Sequence, residues 1–179
     1  MRLYGQKYVL TGGPGAGKTT LVNYLASIGE ATLAEAAADL IREQMALGIQ
    51  FPNLEPDFEV NVLKLQLHRE LKINPALPRI FLDRGLLDAL AYYQLFQKRQ
   101  SPLMESITQR MKQEKVYMKV FLIEHQGLMK TTSVRTETIK QALLLEKLQE
   151  ENYKTLGYDV IRIPFDAIKS RIQMLLANL

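Results

Sequence analysis

No cysteine occurs among the 179 residues, which excludes disulfides and thiolate metal sites and fits a cytoplasmic chain. With only two histidines, His68 and His125, a zinc site has too few ligands. Long apolar runs are missing too: none approaches the ~18–20 residues of a membrane helix. The first five residues lead into a strand-like run without the apolar stretch of a secretory signal, so no membrane partner is expected. The charge excess is small, +4, and the basic residues are spread along the chain, which leaves no footprint for nucleic acid. Repeats, low-complexity tracts and Gly/Ser linkers are absent. A hydrophobic content of 47% over this length suits one domain spanning residues 1–179.

What is present is an alternation of strands and helices. Lys7-Tyr8-Val9-Leu10-Thr11 is a short apolar run that stops at glycine, as a buried parallel strand does. The next segment puts Leu21, Val22, Leu25 and Ile28 on one helical face, with Gly29 as stop signal. A second strand over 31–34 precedes a helix over 35–47, and the Pro/Asn-containing stretch 48–56 reads as a loop. Val60, Leu63, Leu67 and Leu71 mark a further helix. Strands over 79–83, 116–123 and 158–163 follow, with helices over 86–97, 103–113 and 136–156. A last helix, capped by Asp166, buries Ile168, Ile172, Leu175, Leu176 and Leu179. This order predicts an α/β fold of three layers around a five-stranded parallel sheet. Ligands of such sheets bind beyond the carboxyl ends of the strands. Residues 12–20, Glu35, Asp83-Arg84, the segment after Glu124 and Phe165-Asp166 should therefore converge.

Gly12-Gly13-Pro14-Gly15-Ala16-Gly17-Lys18-Thr19-Thr20 matches G-x-x-x-x-G-K-[ST] between a strand and a helix, the context that confirms a P-loop. The glycines let backbone N–H groups turn inward around phosphate oxygens, and the helix beginning near Lys18 adds its positive dipole end. Lys18 is placed to reach the β- and γ-phosphates, Thr19 to ligate Mg²⁺, and Thr20 to pack or bond behind it. The ligand implied is ATP, or less readily GTP, with magnesium.

Asp83 ends an apolar strand, where it either ligates magnesium water, accepts a proton from an acceptor hydroxyl, or caps the next helix. Arg84 carries a planar fork suited to phosphate or carboxylate oxygens, with a surface ion pair as the alternative. Asp88, one turn on, either contacts substrate or serves the helix dipole. Glu35 follows the second strand among alanines that leave room for a ligand or for tight helix packing. Residues 124–135 lack apolar periodicity and read as a lid whose one arginine, Arg135, would neutralise charge on the transferred phosphoryl. Tyr92, Tyr93 and Phe96 read as core and boundary aromatics, and Arg110, Lys112, Lys115 and Lys119 as a solvated face.

Over nearly its whole length the chain resembles the AAA-type P-loop domain family that includes the ribosylnicotinamide kinase domain of NadR-like proteins. The resemblance rests on Thr11 through Thr20, Glu35-Ala36-Ala37, Leu82-Asp83-Arg84-Gly85-Leu86-Leu87-Asp88-Ala89, Val134-Arg135-Thr136-Glu137, Tyr153 through Tyr158 and Ile163-Pro164. It implies the nucleoside/nucleotide-kinase-like sheet, ATP with Mg²⁺, and transfer to a small acceptor.

The leading expectation is thus a small-molecule kinase whose site comprises Lys18, Glu35, Asp83, Arg84 and Arg135, with metal on Thr19 and Asp83. A phosphorylated acceptor would need more arginine than Arg42, Arg84 and Arg135, which favours a nucleoside-type hydroxyl. The alternative is a nucleotide-binding regulator that hydrolyses ATP or GTP slowly and acts through a partner. Ile123-Glu124-His125-Gln126 stands where a guanine-reading Asn-Lys-x-Asp motif would be, which counts against a Ras-like GTPase.

Overall fold

The computed structural model describes residues 6–125, 127 and 138–179. Five strands, β1 (Gln6–Thr11), β2 (Thr32–Leu33), β3 (Arg79–Asp83), β4 (Lys119–Ile123) and β5 (Val160–Ile163), pair in parallel in the order β2-β3-β1-β4-β5. Among the described residues seven α-helices connect and follow them: α1 (Lys18–Ser27), α2 (Ala36–Ala46), α3 (Phe58–Leu71), α4 (Asp88–Leu95), α5 (Pro102–Gln113), α6 (Ile139–Thr155) and α7 (Ile168–Ala177). A single 3-10 turn, Pro52–Leu54, interrupts the expected loop.

The strands are apolar on both faces because both faces are covered, as parallel sheets require. Alternation along each strand sorts the residues into two layers. Val9, Leu82 and Val120 face a core built with Leu63 of α3, Leu90 and Tyr93 of α4, Ile107 of α5 and Tyr153 of α6. Tyr8, Leu10, Phe81, Phe121 and Ile123 face Leu21, Val22 and Leu25 of α1 and Ile172 and Leu175 of α7.

Several boundaries differ from expectation. β2 is only two residues long, at the sheet edge, and β4 and β5 start later because the pairing begins at Tyr8↔Lys119 and Val120↔Val160. Ile28 and Ile168 are exposed at helix ends, where the ridge that faces the core has already turned away. Leu71 is exposed as well, since the inward stripe of α3 is Glu59, Leu63, Gln66 and Glu70. Those polar residues are buried with partners: Glu59 meets Lys98 Nζ at 2.9 Å, while Glu70 accepts from Lys7 Nζ at 3.2 Å and Tyr117 Oη at 2.8 Å. Asp166 is not the cap of α7. The N-cap is Ala167, and the Asp166 carboxylate accepts from the adjacent Ala167 N–H. α6 opens with a capping box in which Thr138 Oγ1 accepts from Gln141 N at 3.2 Å and Thr138 N donates to Gln141 Oε1 at 2.8 Å.

β5 is tied to α6 by Arg162, whose Nε donates to Glu150 Oε1 at 3.0 Å and Nη1 to Glu124 Oε1 at 2.9 Å. The Arg162 hydrogen bonds hold the Glu150 carboxyl below the usual carboxylate range. A carboxyl depressed in the folded state contributes stability above its unfolded pKa and loses it as pH falls through the folded value. Arg162 is half exposed, so solvent screening limits the pair to about 0.5–1 kcal/mol. Arg162→Ala should lower urea-unfolding stability by that amount at pH 7 and by clearly less at pH 3. An equal loss at both values would show that packing, not charge, is what Arg162 supplies.

Candidate functional site

β1 is the central strand, and the loop leaving its carboxyl end turns directly into α1. Gly17 caps α1 with φ 93°, and no side chain bonds its first-turn amides, so these donors face outward as an anion site requires. Lys18 Nζ folds back to Gly12 O at 2.7 Å and Gly13 O at 2.9 Å. Burial, and next the nearby Arg84 guanidinium, lower the Lys18 ammonium from its ordinary value to about 8.

Two helices brace this loop from behind. Arg171 of α7 is buried against it and donates from Nη1 to Ala16 O at 3.0 Å and from Nη2 to Glu124 O at 3.3 Å. α6 crosses so closely that a Cβ on Gly13 would overlap the Ala142 carbonyl oxygen, a backbone atom that cannot yield without moving the helix.

The register Leu10↔Asp83 brings the end of β3 beside the loop. Asp83 is almost fully buried, and its Oδ2 accepts from Thr19 Oγ1 at 2.6 Å. Its other oxygen, Oδ1, is buried without a partner among the described residues. Burial first, and the nearby Glu35 charge second among the raising influences, push the Asp83 carboxyl up, against the opposing pull of Lys18. Asp83 therefore does not cap a helix: α4 starts five residues later with Leu87 as N-cap.

In front of the loop lies a cavity of about 650 Å³. Pro14, Gly15, Gly17, Lys18, Thr19 and Thr20 form its loop end, and α2, α3 and α4 wall the other end. Glu35 and Arg84 meet there, Arg84 Nε donating to Glu35 Oε1 at 2.5 Å. Arg84 Nη1 reaches Asp88 Oδ1 at 3.3 Å, and the guanidinium lies over the Tyr92 ring at 5.7 Å. Phe58, Tyr92 and Phe96 supply aromatic wall, with Glu59 and Gln66 from the inward face of α3. Among the described lining residues the cations are Lys18 and Arg84, and the acids are Glu35, Glu59 and Asp88.

Of the residues expected to converge, Glu35, Lys18, Thr19 and Arg84 do so, and Asp83 stands one layer behind Thr19. Thr20 does not pack behind Thr19; it is exposed and lines the cavity. Ala16 turns its side chain into the core, and its N–H is taken by Gly13 O at 3.3 Å, so it belongs to the brace. Phe165 and Asp166 do not line the cavity: Phe165 lies over Arg171 on the opposite flank of the loop. Arg42 points away and pairs with Asp39 on an exposed helix face. Arg135 and the stretch Val134-Arg135-Thr136-Glu137 lie outside the described residues. Tyr92 and Phe96 line the cavity, a correction to their reading as core and boundary aromatics, whereas the neighbouring Tyr93 is core. Sequence reasoning alone misses Gln141 and Arg171. The second carries a faint signal, an arginine in register with the apolar stripe Ile168, Ile172, Leu175.

A nucleotide-sized cavity over a P-loop, at the carboxyl edge of a parallel sheet ordered 2-3-1-4-5, defines a three-layer P-loop protein of the nucleoside/nucleotide-kinase-like fold. The model of an AAA domain family matches residues 7–171, and the chain belongs to that family. No curated protein matches it. Among solved structures it resembles NadR protein in complex with NR at 17% identity and TM-score 0.68, covering 97% of this chain but 50% of that one. It also resembles thymidylate kinase from Ehrlichia chaffeensis, at 16% identity, TM-score 0.66 and 98% of both chains. Deoxyadenosine kinase from M. mycoides with bound dATP matches at 18% identity and TM-score 0.60, covering 97% and 98%.

No helix among the described residues is long and apolar enough to cross a membrane. The close approach of α6 makes residue 13 sensitive to size. Gly13→Ala should destabilise by about 1–3 kcal/mol through overpacking, a loss of several degrees in melting temperature, and should weaken nucleotide binding in the same thermal-shift assay. An unchanged melting curve would contradict the docking of α6 on the loop.

Proposed function

We propose that this protein is a small-molecule kinase that transfers the γ-phosphoryl group of ATP to a neutral, nucleoside-like hydroxyl acceptor. The observation that carries this reading is the charge balance of the acceptor end. Its one lining guanidinium among the described residues, Arg84, is already outnumbered by its two carboxylate partners, Glu35 and Asp88. A phosphorylated acceptor would enter a net-negative lobe, whereas a hydroxyl needs a carboxylate to take its proton.

The loop amides and Lys18 would bind the triphosphate, with Lys18 exchanging the carbonyls of Gly12 and Gly13 for phosphate oxygens. Thr19 and Asp83 would hold magnesium: their oxygens are hard donors, and the unpartnered Asp83 Oδ1 suits a hydrated cation that also offsets the cost of burying the carboxylate. Such an ion supplies charge neutralisation across the phosphate oxygens. Because Asp83 stands behind Thr19, Glu35 at the cavity wall is the residue we assign to orient and deprotonate the acceptor. Arg84, held on Glu35, would meet charge that builds as the phosphoryl group crosses. Arg135 keeps the role of a further charge clamp, and the nucleotide choice of ATP over GTP belongs to the same proposal.

The test is acceptor-dependent ADP release from Mg-ATP over a panel of nucleosides and nucleoside monophosphates. Turnover with a nucleoside and little with its monophosphate is expected. Lys18→Ala and Asp83→Asn should each cost roughly 100-fold or more in turnover with an unchanged circular-dichroism spectrum. Slow hydrolysis indifferent to every acceptor would instead identify a nucleotide-binding regulator.

A further inference from the structure

Arg84 has φ 75°, a left-handed backbone that a residue with a β-carbon keeps only where its surroundings over-determine it. Hydrogen bonds from several elements hold the main chain of this turn. Arg84 N donates to Leu10 O at 3.0 Å, and Arg84 O accepts from Gln66 Nε2 at 3.3 Å. Gly85 N donates to Asp88 Oδ2 at 3.0 Å, and Leu86 N donates to Tyr117 Oη at 2.8 Å. The side chain is held as firmly: Glu35 takes Nε and Asp88 takes Nη1, so the fork is clamped on two edges. The side chain so held lines the cavity.

Asp88 itself is 2% exposed and is the meeting point of five donors. Oδ1 accepts from Thr11 Oγ1 at 2.7 Å, Gln149 Nε2 at 3.2 Å and Arg84 Nη1; Oδ2 accepts from Gly85 N and from Tyr153 Oη at 2.8 Å. A carboxylate offers about four lone-pair directions, so this one is saturated. The end of β1, the Arg84 turn and two residues of α6 are thereby joined through one buried charge. Residue 85 has to be glycine for this: a Cβ there would stand 2.5 Å from Tyr153 Oη.

We propose that Asp88 is a positioning residue for phosphoryl transfer. It sets the Arg84 guanidinium against Glu35 at the cavity wall, and through Gln149 and Tyr153 it makes that setting depend on α6, the helix that also lies on the loop at Gly13. Acceptor-side charge and the phosphate cradle are then held in one frame by one helix. The inference rests on the kinase reading for its kinetic arm only.

Asp88→Asn keeps the volume but puts an amide donor where donors converge. The expected result is a roughly 10- to 100-fold fall in kcat, with the KM for Mg-ATP moving less than about threefold. In an Arg84→Ala background the same substitution should add nothing, because two residues acting as a unit are non-additive. Tyr153→Phe, which deletes only the hydroxyl from α6, should give a smaller loss that also vanishes in that background, and it carries the cycle if Asp88→Asn fails to fold. Equal losses in both backgrounds would mean that Asp88 is merely structural and would overturn the proposal. Crystal structures of the two single variants decide independently of turnover. A displaced Arg84 guanidinium that has left Glu35 supports the inference, and an unmoved one overturns it. A wild-type chain that releases no ADP with any acceptor refutes the kinase reading, while the position of Arg84 in the two variant structures still supports or overturns the role of Asp88.

Discussion

Parallel pairing of β1 with β3 in the register Leu10↔Asp83 is the constraint on which the site depends. It sets the last residue of one strand beside the loop that leaves the other, so that Thr19 on the first turn of α1 reaches Asp83 at 2.6 Å. The same register lets Arg84 N bond Leu10 O, which starts the turn that throws Arg84 into the cavity. A slip by one residue would turn Asp83 to the opposite face of the sheet and separate cradle, carboxylate and guanidinium together.

Around that pairing the protein buries charge, and it does so by giving each buried charge a partner. Lys18 lies on two carbonyls, Asp83 on a threonine hydroxyl, Arg84 on two carboxylates, and Asp88 on five donors. Desolvation alone would cost several kcal/mol for each unpaired ion. At the loop end the partners of Lys18 are backbone carbonyls, which a ligand could displace without leaving a charge stranded. At the opposite end of the cavity the partners are carboxylates, which hold Arg84 in place.

The helices that frame the site also unite it. α6 contributes Gln141 to the cavity, Ala142 to the back of the loop, and Gln149 and Tyr153 to Asp88. α7 contributes Arg171, which takes the Ala16 carbonyl and turns that residue inward. Close-packed interiors transmit such contacts because neither backbone can shift without the other. The inward face of α3 does the same from the other side, Glu70 receiving Tyr117 and Lys7 while Gln66 steadies the Arg84 carbonyl.

By itself the sequence determined what is contiguous. The cradle over residues 12–20 is a local loop whose spacing follows from backbone geometry, and the apolar runs that end at Thr11 and Asp83 follow from burial on both faces of a parallel sheet. Tertiary structure decided what depends on distant partners. The polar inward stripe of α3 defeated apolar periodicity because Glu59 and Glu70 bury themselves with Lys98 and Lys7, 39 and 63 residues away. Tyr92 faces the cavity and Tyr93 the core through helix rotation alone, which adjacent aromatics do not disclose. Asp88 reads equally as a substrate contact or a first-turn carboxylate until Thr11, Gln149 and Tyr153 arrive from as far as 77 residues off. A hydrogen bond has no sequence period, so only the folded chain can say which donors meet.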